Sequence, residues 1–188
     1  KTKKVCADFA TFHKTRKKPI REIETYSGKI LKNSDYEEVA IGTEDYASVL
    51  IHFDKNAHGS LTVNQTASGR KNRIYFEIYG SQKSVSWSGE RPNELWIGNR
   101  DQANQIMLKD PALVSEDVRG YIGFPGGHNE GFADTSKQLF TQYYKYILNN
   151  GHKNNISPAF PTFEAGLREL MICERIVRSA KEMCWVEV

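Results

Sequence analysis

Between Asp45 and Leu108 apolar and polar residues alternate with a period of two, which predicts a succession of β-strands. Ala47, Val49, Ile51 and Phe53 fall on one face of the first strand, and Ser48, Leu50, His52 and Asp54 on the other. The turn-forming stretch "KNAHG" reverses the chain, and Leu61, Val63 and Gln65 return against Ser60, Thr62, Asn64 and Thr66. After "SGRKN", Ile74, Phe76 and Ile78 oppose Tyr75, Glu77 and Tyr79. Strands carrying Val85 and Trp87, Leu95 and Ile97, and Ile106 and Leu108 follow. Such short loops predict hairpins and an antiparallel meander. The chain also opens in alternation, with Val5, Ala7 and Phe9 set against Cys6, Asp8 and Ala10.

After Gly127 the period becomes 3.6. Phe132, Leu139, Phe140, Tyr143, Ile147 and Leu148 mark one helix, stopped at Asn149-Asn150-Gly151. Pro161-Thr162 starts a second, with Thr162 as its N-cap and a buried stripe of Phe163, Leu167, Leu170, Met171, Val177 and Ala180. "WVEV" closes the chain as a short strand. Strands first and helices last predict one α+β domain over residues 1–188: a predominantly antiparallel sheet, helices on one face, the other face open. That open face carries Ser, Thr, Asn and Tyr and few charges, as a partner surface does.

Charge changes this picture little. The net charge is +3, and the basic excess is local, with Lys14, Arg16, Lys17 and Lys18 in the loop "HKTRKKP". Such a run is one way to meet a phosphate backbone; a solvated loop is the other reading. Cys6, Cys173 and Cys184 are widely spaced and form no CxxC, which fits a reducing, cytoplasmic setting and no structural zinc. No apolar stretch nears the roughly 20 residues of a membrane span. Asn64-Gln65-Thr66 and Asn155-Ile156-Ser157 match the glycosylation acceptor pattern, which short sequences do by chance. The chain begins without Met and inside a strand, and reads as part of something longer.

Candidate chemistry is sparse. There is no GxGxxG, P-loop, GxSxG or HExxH. The stretch "FPGGHNEGFADT" sets His128, Glu130 and Asp134 close together, two or three ligands of a metal site without a fourth. The competing reading makes the acids first-turn partners of the helix dipole, with Asn129 as cap, and leaves His128 as a polar wall for a ligand. Under that reading no metal is held. Arg70, Lys71 and Asn72 form a polar turn, and Glu90, Arg91 and Asn93 another with an internal ion pair.

Taken in order, "GRKNRIYFEIYGSQKSVSW", "ERPNELWIGN", "GGHNEGFADT" and "FPTFEAGLRELMICERIVRSAKEMCWVEV" resemble the C-terminal half of the Gfo/Idh/MocA family. That family contains NAD(P)-dependent sugar and polyol dehydrogenases, and the resemblance covers nearly the whole chain. It implies an α+β domain that covers a sugar or polyol, with an open sheet face that forms a homodimer or tetramer. It implies an NAD or NADP cofactor held by a separate Rossmann domain and none bound by this piece. The family's E-K-P lysine and the Asp-x-x-x-His pair ahead of the opening strand both fall outside this chain. No catalytic residue is therefore assigned, and the piece alone is expected to be inactive. The resemblance points to His128, with Arg70 and Lys71, as substrate contacts. The alternative is a freestanding carbohydrate- or nucleic-acid-binding module working through the basic loop.

Overall fold

The opening alternation becomes strand β1 (Thr2–Ala10), and the closing "WVEV" supplies β10 (Val186–Glu187) as its neighbour. The computed structural model describes residues 1–24 and 31–188. Its contacts fall into two units, one of Lys1–Ser68 with Phe163–Val188, the other of Gly69–Thr162. Both are built on antiparallel sheets with helices, an α+β fold.

In the first unit β4 (Tyr46–Phe53) and β5 (His58–Asn64) complete a sheet of order β10-β1-β4-β5. Period two places Val5, Ala7 and Val49 on one face, where they are buried and joined by Phe9, Ile51, Ile176 and Ala180. The last two belong to helix α3 (Phe163–Glu182). Lys4, Cys6 and Asp8 lie on the opposite face with Ser48, Leu50, His52, His58, Ser60 and Thr62, as the alternation requires. The expected buried stripe of α3 is corrected here. Phe163, Leu167, Leu170, Met171 and Val177 are exposed, and the helix turns Ile172, Ile176, Ser179 and Ala180 inward. These inward positions also recur at three- and four-residue spacing, but one of them is a serine, which an apolar pattern passes over. Ser179 is fully buried because its hydroxyl accepts the Ala7 N–H (2.9 Å) and donates to the Cys184 carbonyl (2.6 Å). It thereby satisfies the edge of β1 where β10 has ended.

The basic run is not a loop. It is β2 (Thr15–Pro19), paired with β3 (Tyr36–Ala40) in a two-stranded ribbon. Lys17 faces Glu38, and Lys18 faces Glu37 with an ion pair of 3.3 Å. Opposite charges set cross-strand stabilise a ribbon that has no apolar face, which is why the alternation does not show there.

In the second unit β6 (Tyr75–Tyr79), β7 (Lys83–Ser88), β8 (Glu94–Asn99) and β9 (Gln105–Leu108) form a consecutive meander. The strands expected between Asp45 and Leu108 are thus all present, but β4 and β5 pair with β1, and only the later four form this sheet. A one-turn helix α1 (Glu116–Arg119) precedes α2 (Phe132–Leu148). The α2 stop is a Schellman turn. Asn150 takes the left-handed conformation (φ 53°), the Gly151 N–H reaches the Tyr146 carbonyl (2.8 Å), and the Asn150 N–H reaches Ile147 (2.9 Å). Phe160 folds back edge-on against Tyr143 and Tyr146.

Candidate functional site

The second unit holds a cavity of about 580 Å3. Ile74, Trp87, Tyr121 and Phe132 form its apolar wall, and Lys71, Asn93, Lys109, Glu130, Asp134 and Gln138 its polar one. Apolar walls with a few convergent polar groups are the usual construction of a small-molecule site. The indole of Trp87 is fixed by donating to the Pro92 carbonyl (3.1 Å).

The "PGGHNEG" segment reaches this cavity with its last two residues, Glu130 and Gly131, and its sequence has a structural reason. The His128 N–H returns to the Pro125 carbonyl (3.3 Å) across a tight turn, and Gly127 sits at φ 81°, a position a side chain strains to occupy. Lys109, at the end of β9, then ties the loop down. Its ammonium donates to the carbonyls of Phe124 (3.2 Å) and His128 (2.9 Å) and to the Glu130 carboxylate. The other Glu130 oxygen accepts the Gly123 N–H (2.7 Å). Asn93 completes the clamp, its amide bonded to both the N–H and the carbonyl of Glu130 at 3.1 and 3.2 Å. Burial works to raise the Glu130 pKa. The Lys109 hydrogen bond, the Gly123 N–H and the Lys109 charge outweigh it and hold the carboxyl below its ordinary value.

This geometry disperses the predicted ligand set. Glu130 is committed to Lys109, and Asp134 accepts the Gly131 N–H (2.8 Å) at the start of α2. His128 is exposed, its Nδ1 3.4 Å from the Gly126 carbonyl. Among the described residues no group of three or more His, Cys, Asp and Glu lies together. The cap of α2 is Gly131, not Asn129, and Glu130 lies before the helix. Of the three expected substrate contacts only Lys71 lines the cavity. Arg70 pairs with Glu90 (2.9 Å), as does Arg73 (3.4 Å), and Arg91 pairs with Glu94 (3.0 Å), so both polar turns are held by ion pairs.

Several cavity residues escaped the sequence reading, Lys109 and Gln138 among its polar ones. Lys109 ends a strand and carries no pattern of its own. Gln138 stands four residues after Asp134, a spacing that puts both on one helix face, and its Oε1 is buried with no hydrogen-bond partner among the described residues. One Asp-x-x-x-His spacing does occur, Asp54 and His58, but at the β4–β5 hairpin. There Asp54 pairs with the Lys3 ammonium (3.4 Å).

The fold agrees with what comparison finds. Residues 5–188 match the oxidoreductase family, C-terminal alpha/beta domain. The chain belongs to the Gfo/Idh/MocA oxidoreductases, as their C-terminal domain. It is 28% identical over 150 residues to levoglucosan dehydrogenase of Pseudarthrobacter phenanthrenivorans, covering 79% of this chain and 37% of that protein. It is 24% identical over 150 residues to the uncharacterized oxidoreductase YfiI of Bacillus subtilis, covering 77% of this chain and 38% of that one. In fold it matches an inositol dehydrogenase homolog from Azotobacter vinelandii, solved with NAD+, at a TM-score of 0.79 and 19% identity, over 100% of this chain and 43% of the other. The chain therefore spans less than two-fifths of the curated relatives it matches.

Proposed function

We propose that this chain is the substrate-covering and oligomerisation part of an NAD(P)-dependent dehydrogenase acting on the CH–OH group of a sugar or polyol. The cavity carries the reading. A polyhydroxylated carbon skeleton presents C–H faces that suit the Trp87 and Ile74 wall, and hydroxyls that suit Lys71, Asn93 and Gln138. The names of relatives, a levoglucosan dehydrogenase and an inositol dehydrogenase homolog, support the same substrate class.

When bound, the nicotinamide supplies the hydride acceptor or donor. No glycine-rich strand-to-helix turn in this chain offers a seat for its pyrophosphate, so the cofactor is assigned to another part of the parent protein. What these residues contribute is binding and orientation. Lys71 and Gln138 place hydroxyls, the apolar wall receives C–H faces, and the Lys109–Glu130–Asn93 clamp fixes the loop that leads into α2. Within the basic run Lys18 pairs across the ribbon with Glu37, while Arg16 and Lys17 donate to Gln65 and Asn33, so the second reading, a module that binds a polyanion through this run, is favoured less by the pairing of β2 with β3 than the cavity reading is by its lining.

Kinetics of the parent enzyme test this. Lys71→Ala and Gln138→Ala are each expected to raise KM for the sugar several-fold and change kcat less, as lost ground-state contacts do. Unchanged KM in both variants would remove the cavity from the substrate path. The 188-residue chain alone is expected to turn over no sugar with NAD or NADP.

A further inference from the structure

Two imidazoles stand side by side on the open face of the first unit's sheet. His52 and His58 are direct cross-strand partners, and the bond from the Phe53 N–H to the Ala57 carbonyl (2.8 Å) closes the hairpin beside them. In the antiparallel alternation this makes 52 and 58 a non-hydrogen-bonded pair, the kind whose side chains approach closest. Their ring centroids are 4.0 Å apart. Trp185 packs 4.4 Å from His52 and limits how far that ring can turn.

We propose that His52 and His58 together bind one divalent first-row transition ion, with water completing its coordination. Imidazole nitrogens about 2.0–2.1 Å from a tetrahedral ion stand about 3.3 Å from one another. Directly opposed strand positions with ring centroids at 4.0 Å set the two imidazoles within reach of one ion. His58 is exposed and His52 half-buried, so solvent reaches the remaining positions. Imidazole and water donors select zinc, nickel or copper over magnesium and calcium.

The groups around the pair are few. Lys4 faces His52 from β1, with its ammonium drawn over the Trp185 ring at 5.4 Å, and Glu187 lies beyond Lys4 in the same row. Asp54 is engaged by the Lys3 cation at 3.4 Å. Lys4 therefore opposes the ion, and its removal should strengthen binding. Cys6 lies on this face one row along, and is the one thiol of β1 that must be separated from the histidines.

The test is Zn2+ titration by calorimetry on the 188-residue chain with Cys6, Cys173 and Cys184 replaced by serine, beside the unaltered chain. One equivalent of Zn2+ is expected to bind both. His58→Gln, at an exposed position that does not endanger the fold, should weaken binding about tenfold or more, because the second ligand acts at high effective concentration. His52→Gln should do the same, His128→Gln should leave it unchanged, and Lys4→Gln should tighten it. Cu2+ should quench tryptophan emission in the unaltered chain, and Trp185→Phe should remove the quenched component. Affinity equal in His58→Gln and the parent, or binding lost with the serine replacements, would overturn the proposal.

Discussion

Glu130 shows most clearly what one residue does here. Its carboxylate is the hub of the loop clamp, with only 11% of its side chain exposed and Lys109 at 15%. Glu130→Gln keeps the shape and one acceptor but leaves the Lys109 ammonium without its counter-charge. We expect a loss of about 2 kcal/mol at neutral pH, read from denaturant unfolding. The pH dependence follows from the direction of the shift. The folded pKa lies below the ordinary 4.5, so the stabilisation is complete above 4.5 and fades as pH falls through the depressed value. Parent and variant should converge in acid; a gap that persists there would mean the carboxylate's charge is not what holds the loop. The same residue marks how far the site was legible. Sequence alone put Glu130 and Asp134 beside His128 and in a first helical turn, but α2 begins only at Phe132 with Gly131 as its cap, so Glu130 stands outside the helix. The partner that fixes Glu130, Lys109, lies 21 residues away in sequence, and no local pattern connects them.

Helix α3 makes the corresponding point for an element. It carries apolar residues on more than one face, so periodicity alone admits more than one inward stripe. The one that packs is chosen by Ser179, whose hydroxyl serves a strand N–H and a carbonyl at once. Ser179→Ala would leave both groups buried without a partner. We expect a cost of about 1–3 kcal/mol, with earlier hydrogen exchange at the Ala7 amide than elsewhere in β1. Uniform exchange along β1 in that variant would mean the hydroxyl does not hold the strand edge. The hairpins were legible for the opposite reason, since half-buried strands with short turns leave one pattern only. The ribbon of β2 and β3 was not, because charge pairing replaces burial there.

On the scale of the whole molecule the open sheet faces matter most. In the second unit Ser84, Ser86 and Ser88 run between Tyr75, Glu77 and Tyr79 on one side and Glu94, Trp96 and Gly98 on the other. Glu77 accepts both neighbouring phenols, which lowers its pKa and satisfies its charge within the sheet. Gly98 lets the Trp96 indole lie flat across the strand, where a Cβ would stand 2.4 Å from the ring. Ile106 and Leu108 extend the same face and are exposed. Tyrosine, tryptophan and aliphatic groups with few free charges are the composition of an interface core, in keeping with the proposed self-association. A lysine at Ser86 would set an unpaired ammonium in the middle of that face, and burying it between two copies costs several kcal/mol. Light scattering across a dilution series should therefore find the parent chain as a dimer or tetramer and Ser86→Lys dissociating at a concentration at least about tenfold higher. If the lysine variant keeps the parent's mass at every dilution, association runs through another surface. A parent that is monomeric throughout would instead assign this face to a different partner, and the tyrosine–glutamate row would then be its most direct point of contact.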